Sequence, residues 1–108
     1  MTNTSVGKNV NAINSSNKAF TQVALNTTTA TTILAANQNR LRTVIKHSDD
    51  NSVWIREYPA STDNTKQEFD LDKGGLYETD DENPYVDEIS GITVAGNVTV
   101  DVWEYTKN

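Results

Sequence analysis

The alternation of apolar and polar residues constrains the fold of this chain more than any other feature of its sequence. Leu41 and Ile45 fall on one face of residues 40–47, and every second residue from Val98 to Val102 is a valine. Successive side chains of a β-strand point to opposite faces, so this pattern predicts strands that are half buried. Each strand therefore needs a second layer to cover its apolar face.

Turn-forming residues divide the chain into seven or eight such segments, and no segment has the periodicity of a clear helix. The predicted strands cover residues 20–25, 27–34, 40–47, 52–58, 66–71, 76–79, 92–95 and 98–105. Residues 40–47 and 52–58 are predicted to pair as a β-hairpin across the polar turn at 48–51. Short strands at this spacing predict an all-β fold, an antiparallel β-sandwich or a jelly-roll-like barrel of about 7–8 strands.

The beginning of the chain differs from the rest. Residues 1–18 form a polar N-terminal arm in which Val6, Val10 and Ile13 are the large apolar residues. Their spacing fits one helical stripe, but the surrounding Asn, Ser, Thr and Gly are poor helix formers. We therefore predict an extended arm before a single β-sandwich domain at 19–108. Its core is thin because only 35% of the chain is apolar.

Charge and residue counts exclude several functional classes. The net charge of −6 argues against binding nucleic acid through its phosphates. The chain has no Cys and one His, so we expect no disulfide, no thiolate or multi-histidine metal site, and no cofactor. Its apolar runs are far shorter than the ~18 residues of a membrane-spanning helix, so we expect no membrane partner.

His47 is the one candidate for acid–base chemistry by a histidine. Ser48, Asp49 and Asp50 follow it directly, but a predicted turn cannot aim these side chains into a pocket built on strands. We interpret His47 as a solvated residue at the end of a strand. The chain is therefore predicted not to be an enzyme, and no catalytic residue is assigned.

Two clusters of charge admit more than one interpretation. The acidic loop at 80–88 lacks the spacing of an EF-hand, which leaves a solvated loop, a cation site or a docking surface for a basic partner. The basic cluster lies around the predicted hairpin and consists of Arg40, Arg42, Lys46 and Arg56. We expect it to keep an edge strand soluble or to pair with acids of a neighbouring molecule.

Four aromatic residues are the central candidates for an interface. Alternation places Trp54 and Tyr58 opposite the apolar face of their strand, and Trp103 and Tyr105 opposite the three valines. Exposed Trp and Tyr are typical anchors of protein interfaces. Cover by another part of the same chain and a carbohydrate-stacking platform stay open as alternatives. Together with the apolar residues of the arm, the candidate interface consists of Val6, Val10, Ile13, Trp54, Tyr58, Trp103 and Tyr105.

Four segments of the chain carry a resemblance to a known family. They read ILAANQNR at 33–40, TVIKHSDDNSVWI at 43–55, FDLDKGGLYE at 69–78 and GITVAGNVTVDVWEY at 91–105. In this order they resemble a family of small β-sandwich proteins encoded among the structural genes of tailed bacteriophages. The resemblance covers about residues 25–106, and the chain departs from the family at Lys73, where Pro is common.

The resemblance implies a non-enzymatic virion structural protein. A capsid decoration or cement protein, which binds the assembled shell and stabilises it, is the favoured interpretation. Its partners would be the major capsid protein or other virion proteins and further copies of itself, and it would be made in the cytoplasm of a bacterial host. A tail, connector or fibre-associated virion protein and a carbohydrate-binding β-sandwich module are the alternatives.

Overall fold

Eight strands in two sheets make up the protein. The computed structural model describes residues 16–79 and 81–107, and these contain strands joined by turns and loops, with no helix. In chain order the strands are β1 (Ser16–Leu25), β2 (Thr31–Leu34), β3 (Arg40–Lys46), β4 (Val53–Arg56), β5 (Phe69–Leu71), β6 (Leu76–Glu78), β7 (Ile89–Thr93) and β8 (Val98–Lys107). The prediction of an all-β fold is confirmed.

The two sheets interleave along the chain. Sheet A has the strand order β1-β8-β3-β6 and sheet B the order β2-β7-β4-β5. All pairings within them are antiparallel. Every connection except that between β4 and β5 crosses from one sheet to the other. This is the arrangement of an eight-stranded jelly roll, in agreement with the predicted sandwich or jelly-roll-like architecture.

The predicted hairpin of residues 40–47 and 52–58 is wrong. β3 pairs with β6 and β8 in sheet A, whereas β4 pairs with β5 and β7 in sheet B. The connection at 47–52 therefore spans the sandwich. Ile45 and Val53 are each 0% exposed within one shared core. Facing sheets bury the apolar faces of both strands against each other, whereas a hairpin would leave these faces side by side and uncovered.

The core lies between the inner faces of the two sheets. It includes the three alternating valines of β8, which are at most 1% exposed, as predicted. The buried cluster consists of Leu25, Ile33, Leu34, Ile45, Val53, Ile55, Leu71, Tyr77, Ile89, Val98, Val100 and Val102. Packing is tight at Gly91 of β7, where an added Cβ would lie 2.8 Å from Cδ1 of Ile33 and 2.9 Å from Cδ1 of Leu25. A larger residue at this position would force core side chains to shift.

β1 begins earlier than predicted. Its first residue is Ser16, so residues 16–18 of the predicted arm belong to a strand that pairs with β8 over its whole length. The register holds without a shift from Ser16 to Leu25. Strand propensity depends strongly on context, and here the neighbouring strand extends the ladder into a polar segment. The other residues of the predicted arm lie outside the described residues, including the interface candidates Val6, Val10 and Ile13.

β2 begins later than predicted, at Thr31 instead of residue 27. The side-chain oxygen of Asn26 accepts hydrogen bonds from the backbone N–H groups of Thr28 at 3.0 Å and Thr29 at 2.9 Å. These bonds close a turn over a run of β-branched residues that by composition favours a strand. The remaining strands differ from the predicted ranges by one to three residues at an end.

A long loop covers part of the outer face of sheet B. This covering loop, residues 57–68, is held by Arg56, whose guanidinium donates to three of its backbone carbonyl oxygens at 2.8–3.0 Å. Asn64 then ties the loop to the β1–β2 turn, because its Nδ2 donates to the carbonyl of Thr28 and its Oδ1 accepts from the N–H of Ala30. The two sheets therefore differ in what lies over their outer faces.

Candidate interaction surface on sheet A

The outer face of sheet A gathers apolar and aromatic side chains from all four of its strands. Phe20 of β1 lies opposite Trp103 of β8, which in turn lies opposite Val44 of β3. Because side chains alternate, Tyr105 points to the same side two residues later, and β6 adds Leu76 at the far edge. We call these five residues, Phe20, Val44, Leu76, Trp103 and Tyr105, the aromatic face.

The rings of the aromatic face contact one another and two cations. The ring centroids of Phe20 and Trp103 are 5.0 Å apart at an interplanar angle of 46°. The Arg42 guanidinium lies 5.5 Å from the centroid of Tyr105, and the Lys46 ammonium lies 5.4 Å from that of Trp103. Such cation–π contacts contribute about 0.5–1 kcal/mol each at exposed sites. They hold the long basic side chains flat over the sheet.

Positive charge is concentrated on this side of the molecule. The described residues contain six lysines and arginines that are not buried, and alternation places four of them on the outer face of sheet A. These four are Lys18, Arg42, Lys46 and Lys107. Asp101 and Glu78 lie on the same face, which leaves it an excess of two positive charges, whereas the chain as a whole carries a net charge of −6. A basic patch steers an acidic partner toward itself before contact is made.

The aromatic face is open and shallow. Its depression has a volume of about 280 Å³ and is lined by sheet A residues alone: Arg42, Val44, Lys46, Leu76, Trp103 and Tyr105. Small-molecule sites are usually enclosed clefts of roughly 300–1,000 Å³. Exposure is high at its rim, where Phe20 is 54% and Leu76 56% exposed. The shape suits a flat protein contact better than an enclosed ligand.

Trp54 and Tyr58 lie elsewhere. Trp54 is on the outer face of sheet B, half-buried beside Asn64 and Gln67 of the covering loop. Tyr58 belongs to the covering loop itself and is 36% exposed. Trp54 lines a depression of about 600 Å³ there, and Trp103 of sheet A is half-buried to a similar degree. The predicted aromatic candidates are therefore divided between two surfaces, of which the one on sheet A combines them with positive charge.

His47 is buried, so its interpretation as a solvated residue is wrong. It is 3% exposed. Its Nε2 donates to the carbonyl oxygen of Leu71 at 2.7 Å, and its Nδ1 accepts from the N–H of Asp49 at 3.2 Å. These partners require the neutral ring with its proton on Nε2. The β3–β4 connection crosses the sandwich, and this path carries His47 over the edge of the core, where it ties β3 to β5.

Replacing His47 by alanine is expected to destabilise the fold. The carbonyl of Leu71 and the N–H of Asp49 lose their partners and a cavity forms, which lowers the free energy of unfolding by about 2–3 kcal/mol. Urea denaturation followed by circular dichroism measures the change. The control is Ser48→Ala, an exposed neighbour whose replacement is expected to stay within about 0.5 kcal/mol. Equal stability of the two variants would contradict a structural role for His47.

The predicted basic cluster divides into two pairs. Arg42 and Lys46 lie on the outer face of sheet A as described, and Arg42 also forms an ion pair with Glu78 of β6. Arg40 and Arg56 are instead 1% and 0% exposed. The expectation that all four keep an edge strand soluble is wrong, because β3 and β4 each lie between two other strands of their sheet and two of the four residues are buried. Loops fold over these two guanidinium groups and supply their hydrogen-bond acceptors.

The acidic loop at 80–88 is held in place by Arg40. The Nη1 of Arg40 donates to the carbonyl oxygens of Tyr85 at 3.0 Å and Asp87 at 2.9 Å. Glu88 accepts hydrogen bonds from β2 and from the covering loop. Within the part of the chain that the structure describes, which lacks Asp80, no group of three or more acids and histidines is arranged to hold a metal ion.

An acidic groove lies between the edge strands β5 and β6. Its volume is about 460 Å³, and its carboxylates belong to Glu57, Glu68, Asp70 and Glu78. The hydroxyl of Tyr77 donates to Oε2 of Glu57 at 2.5 Å. Burial, assisted by this hydrogen bond, raises the pKa of Tyr77 far above its usual value. The molecule therefore presents negative charge beside the β6 edge and positive charge over sheet A.

Sequence reasoning missed part of the aromatic face. Phe20 lies within the predicted strand at 20–25, and its alternation with Val23 and Leu25 is the signal that places it on the outer face. Leu76 gives no such signal, because β6 has only three residues. The contact of Phe20 with Trp103 depends on the pairing of β1 with β8, which no local pattern indicates.

No protein-family model matches the chain, and neither a curated protein nor a solved structure matches it significantly. Across residues 16–79 and 81–107, no helix is long and apolar enough to cross a membrane.

Proposed function

We propose that this protein is a non-enzymatic structural component of a tailed-phage virion, a decoration or cement protein that binds the assembled capsid shell. The observation that carries the proposal is the aromatic face with its cations, an open surface on an otherwise acidic molecule. Trp, Tyr and Arg are the residues that most often dominate the energy of protein interfaces. The surface therefore has the composition of a binding site for another protein.

The hydrogen bonds of His47 also support a binding role for this protein. Both of its ring nitrogens are engaged by the protein's own backbone. A general base needs a free nitrogen within reach of a substrate proton. The one histidine of the chain is thus committed to structure, and its neighbours Asp49 and Asp50 lie in the connection between the sheets.

The four segments that carry the resemblance to phage structural proteins occupy equivalent places within this fold. Residues 33–40, 43–55, 69–78 and 91–105 each contain a connection that crosses between the sheets. Jelly rolls occur in viral capsid domains and in lectins. A fold of itself does not imply a function, so the proposal rests on the resemblance together with the surface on sheet A.

A decoration protein of this kind would stabilise a shell by mass action. A protein that binds the assembled lattice and not its separated subunits adds its binding free energy to the assembled state. A shell offers many equivalent sites, so small contacts at each site add up over the particle. The acidic surface outside sheet A would keep the bound copies soluble and apart.

Counting copies per particle tests the place of the protein on the virion. Quantitative mass spectrometry of purified particles of the encoding phage is expected to find on the order of hundreds of copies, as shell symmetry demands. About a dozen copies or fewer would favour the tail, connector or fibre alternative. Absence of the protein from purified particles would overturn a virion role.

Replacing Trp103 by alanine is expected to weaken binding to the shell. Loss of a central aromatic anchor costs at least about 2 kcal/mol, which is roughly a 30-fold rise in the dissociation constant. Co-sedimentation with shells that lack the protein measures the change. The matched control is Trp54→Ala, which removes the tryptophan of the opposite sheet. Equal binding by the two variants would show that sheet A does not face the shell.

A carbohydrate-binding module remains the alternative from another class, because Trp103 and Tyr105 place two half-buried rings on one face. Against it, Lys46 and Arg42 lie over these rings and occupy surface that a stacked sugar would need. A glycan array probed with the protein and with Trp103→Ala distinguishes the two functions. Glycan binding that this substitution abolishes would favour the module.

A further inference from the structure

The free edge of β1 is the longest open strand edge in the described structure. β1 is the terminal strand of sheet A and pairs with β8 on one side only. In an antiparallel ladder the backbone N–H and C=O groups of alternate residues point to opposite sides. Half of its ten residues therefore direct their backbone groups away from β8, and no other described strand pairs with them.

The free edge of β1 lacks the features that usually prevent an edge strand from pairing with another chain. The other terminal strands are short: β6 and β5 have three residues each, and β2 has four with a shift in its register. β1 contains no proline, and its ladder has no bulge. Its one charged residue is Lys18. Natural edges are commonly blocked by charges, prolines or bulges, since an open edge is a template for another strand.

We propose that β1 pairs with β1 of a second copy of this chain. The two strands run antiparallel about a two-fold axis at Phe20, so the two copies of sheet A form one continuous eight-stranded sheet. The inference goes beyond the proposed function and does not depend on it, since it concerns how the protein associates with itself.

The sequence of β1 is complementary to itself in this register. With Phe20 opposite Phe20 of the second copy, Lys18 lies opposite Gln22 of that copy. Gln22 donates to Oδ1 of Asp101 at 2.8 Å on the next strand. The ammonium of Lys18 therefore approaches a carboxylate across the interface, twice by symmetry, and no two like charges face each other. This complementarity favours a second copy over an unrelated strand.

The pairing would also enlarge the aromatic face. Phe20 is 54% exposed and contacts Trp103 within its own chain. Across the two-fold axis, its exposed side would contact the same residue of the second copy. A row of four rings, Trp103, Phe20, Phe20 and Trp103, would then cross the joined sheets. Cross-strand aromatic pairs stabilise antiparallel ladders.

Disulfide trapping tests the register directly, because the natural chain has no cysteine. Directly opposed residues of an antiparallel pair have Cα atoms about 4.5–5.5 Å apart, which a disulfide can bridge. The full chain with Phe20→Cys is expected to form a covalent dimer on mild oxidation. The control Leu76→Cys, equally exposed on the opposite edge of the same sheet, is expected to remain monomeric under denaturing conditions. Equal crosslinking of the two variants would overturn the proposal.

Sedimentation equilibrium of the uncrosslinked full chain supplies the second measurement. The natural chain is expected to be a dimer, and Phe20→Lys, which places two like charges on the axis, is expected to raise its dissociation constant on the order of 100-fold. Leu76→Lys adds the same charge at the other edge and is expected to leave the dimer intact. A natural chain that stays monomeric, for instance because residues 1–15 occupy the edge, would refute the pairing.

Discussion

Replacing Arg40 by alanine is expected to remove a large part of the stability of this protein. The guanidinium of Arg40 is 1% exposed, pairs with Glu104 at 2.9 Å and donates to the backbone carbonyls that hold the loop at 80–88. Its loss leaves a largely buried carboxylate and several carbonyl oxygens without their donor. Breaking a buried pair from one side costs about 3–5 kcal/mol, against about 5–15 kcal/mol for a whole domain.

The neighbouring strand position provides the matched control. Arg42 lies on the opposite face of β3 and pairs with Glu78 at the surface. A surface pair contributes at most about 1 kcal/mol, so Arg42→Ala is expected to change the unfolding free energy little. Urea denaturation of both variants gives the comparison. An Arg40→Ala protein as stable as the Arg42→Ala protein would mean that the buried arginine does not hold the loops together.

Replacing Arg56 by alanine is expected to detach the covering loop from sheet B. The guanidinium is 0% exposed, donates to Oγ of Ser90 at 3.0 Å and holds three carbonyl oxygens of residues 57–68. Without it, the loop must open so that water can hydrate these carbonyls. We expect the free energy of unfolding to fall by about 3 kcal/mol. Each buried carbonyl oxygen left without a donor costs roughly 1–3 kcal/mol, and hydration of these oxygens in the opened loop offsets part of that cost.

Two local measurements separate loop opening from general unfolding. Trypsin is expected to cleave after Lys66, in the covering loop, much faster in Arg56→Ala than in the natural chain. On a Trp103→Phe background, the fluorescence of Trp54 is expected to shift to longer wavelength as its cover is lost. The stability control is Lys66→Ala, an exposed residue of the same loop. Unchanged cleavage and fluorescence would show that the loop is held by other contacts.

The two buried arginines give a physical account of how a chain with few apolar residues builds an ordered domain. The apolar core between the sheets consists of Val, Ile and Leu side chains together with Tyr77. Outside it, Arg40 and Arg56 each gather backbone carbonyls from loops that have little apolar surface of their own. One guanidinium has five donors in a rigid plane and can fix several loop segments at once. The loops are thus ordered by hydrogen bonds instead of by apolar burial.

Local patterns predicted the strands well where one face is apolar. Alternation identified the buried face of β3 and the valines of β8, because a period of two directly reports which side chains share a face. The same reasoning placed Trp103 and Tyr105 on the outer face. It failed at residues 27–30, where hydrogen bonds that the side chain of Asn26 accepts from backbone N–H groups outweigh the strand preference of threonine.

Local sequence patterns did not predict which strands pair with each other or which polar side chains are buried. The polar turn at 48–51 predicts that the chain reverses direction, but it does not indicate which strand the next one joins. β3 and β4 belong to different sheets because both must bury an apolar face. The burial of His47, Arg40 and Arg56 depends in part on partners far away in the chain, namely the carbonyl of Leu71, the carboxylate of Glu104 and the hydroxyl of Ser90. Arg56 is also held by carbonyls three to seven residues further along, in the loop that folds back over it.

The amino-acid sequence by itself thus determined the all-β class, the valines that face the core and the aromatic residues on the outer faces of the strands. Each of these features depends on neighbours one or two positions apart in the chain. The tertiary structure alone decided that Phe20 packs against Trp103, that a loop covers part of the outer face of sheet B, and that two arginines and the histidine are structural. These outcomes depend on contacts between residues far apart in sequence, and such contacts form only when the two sheets close on each other.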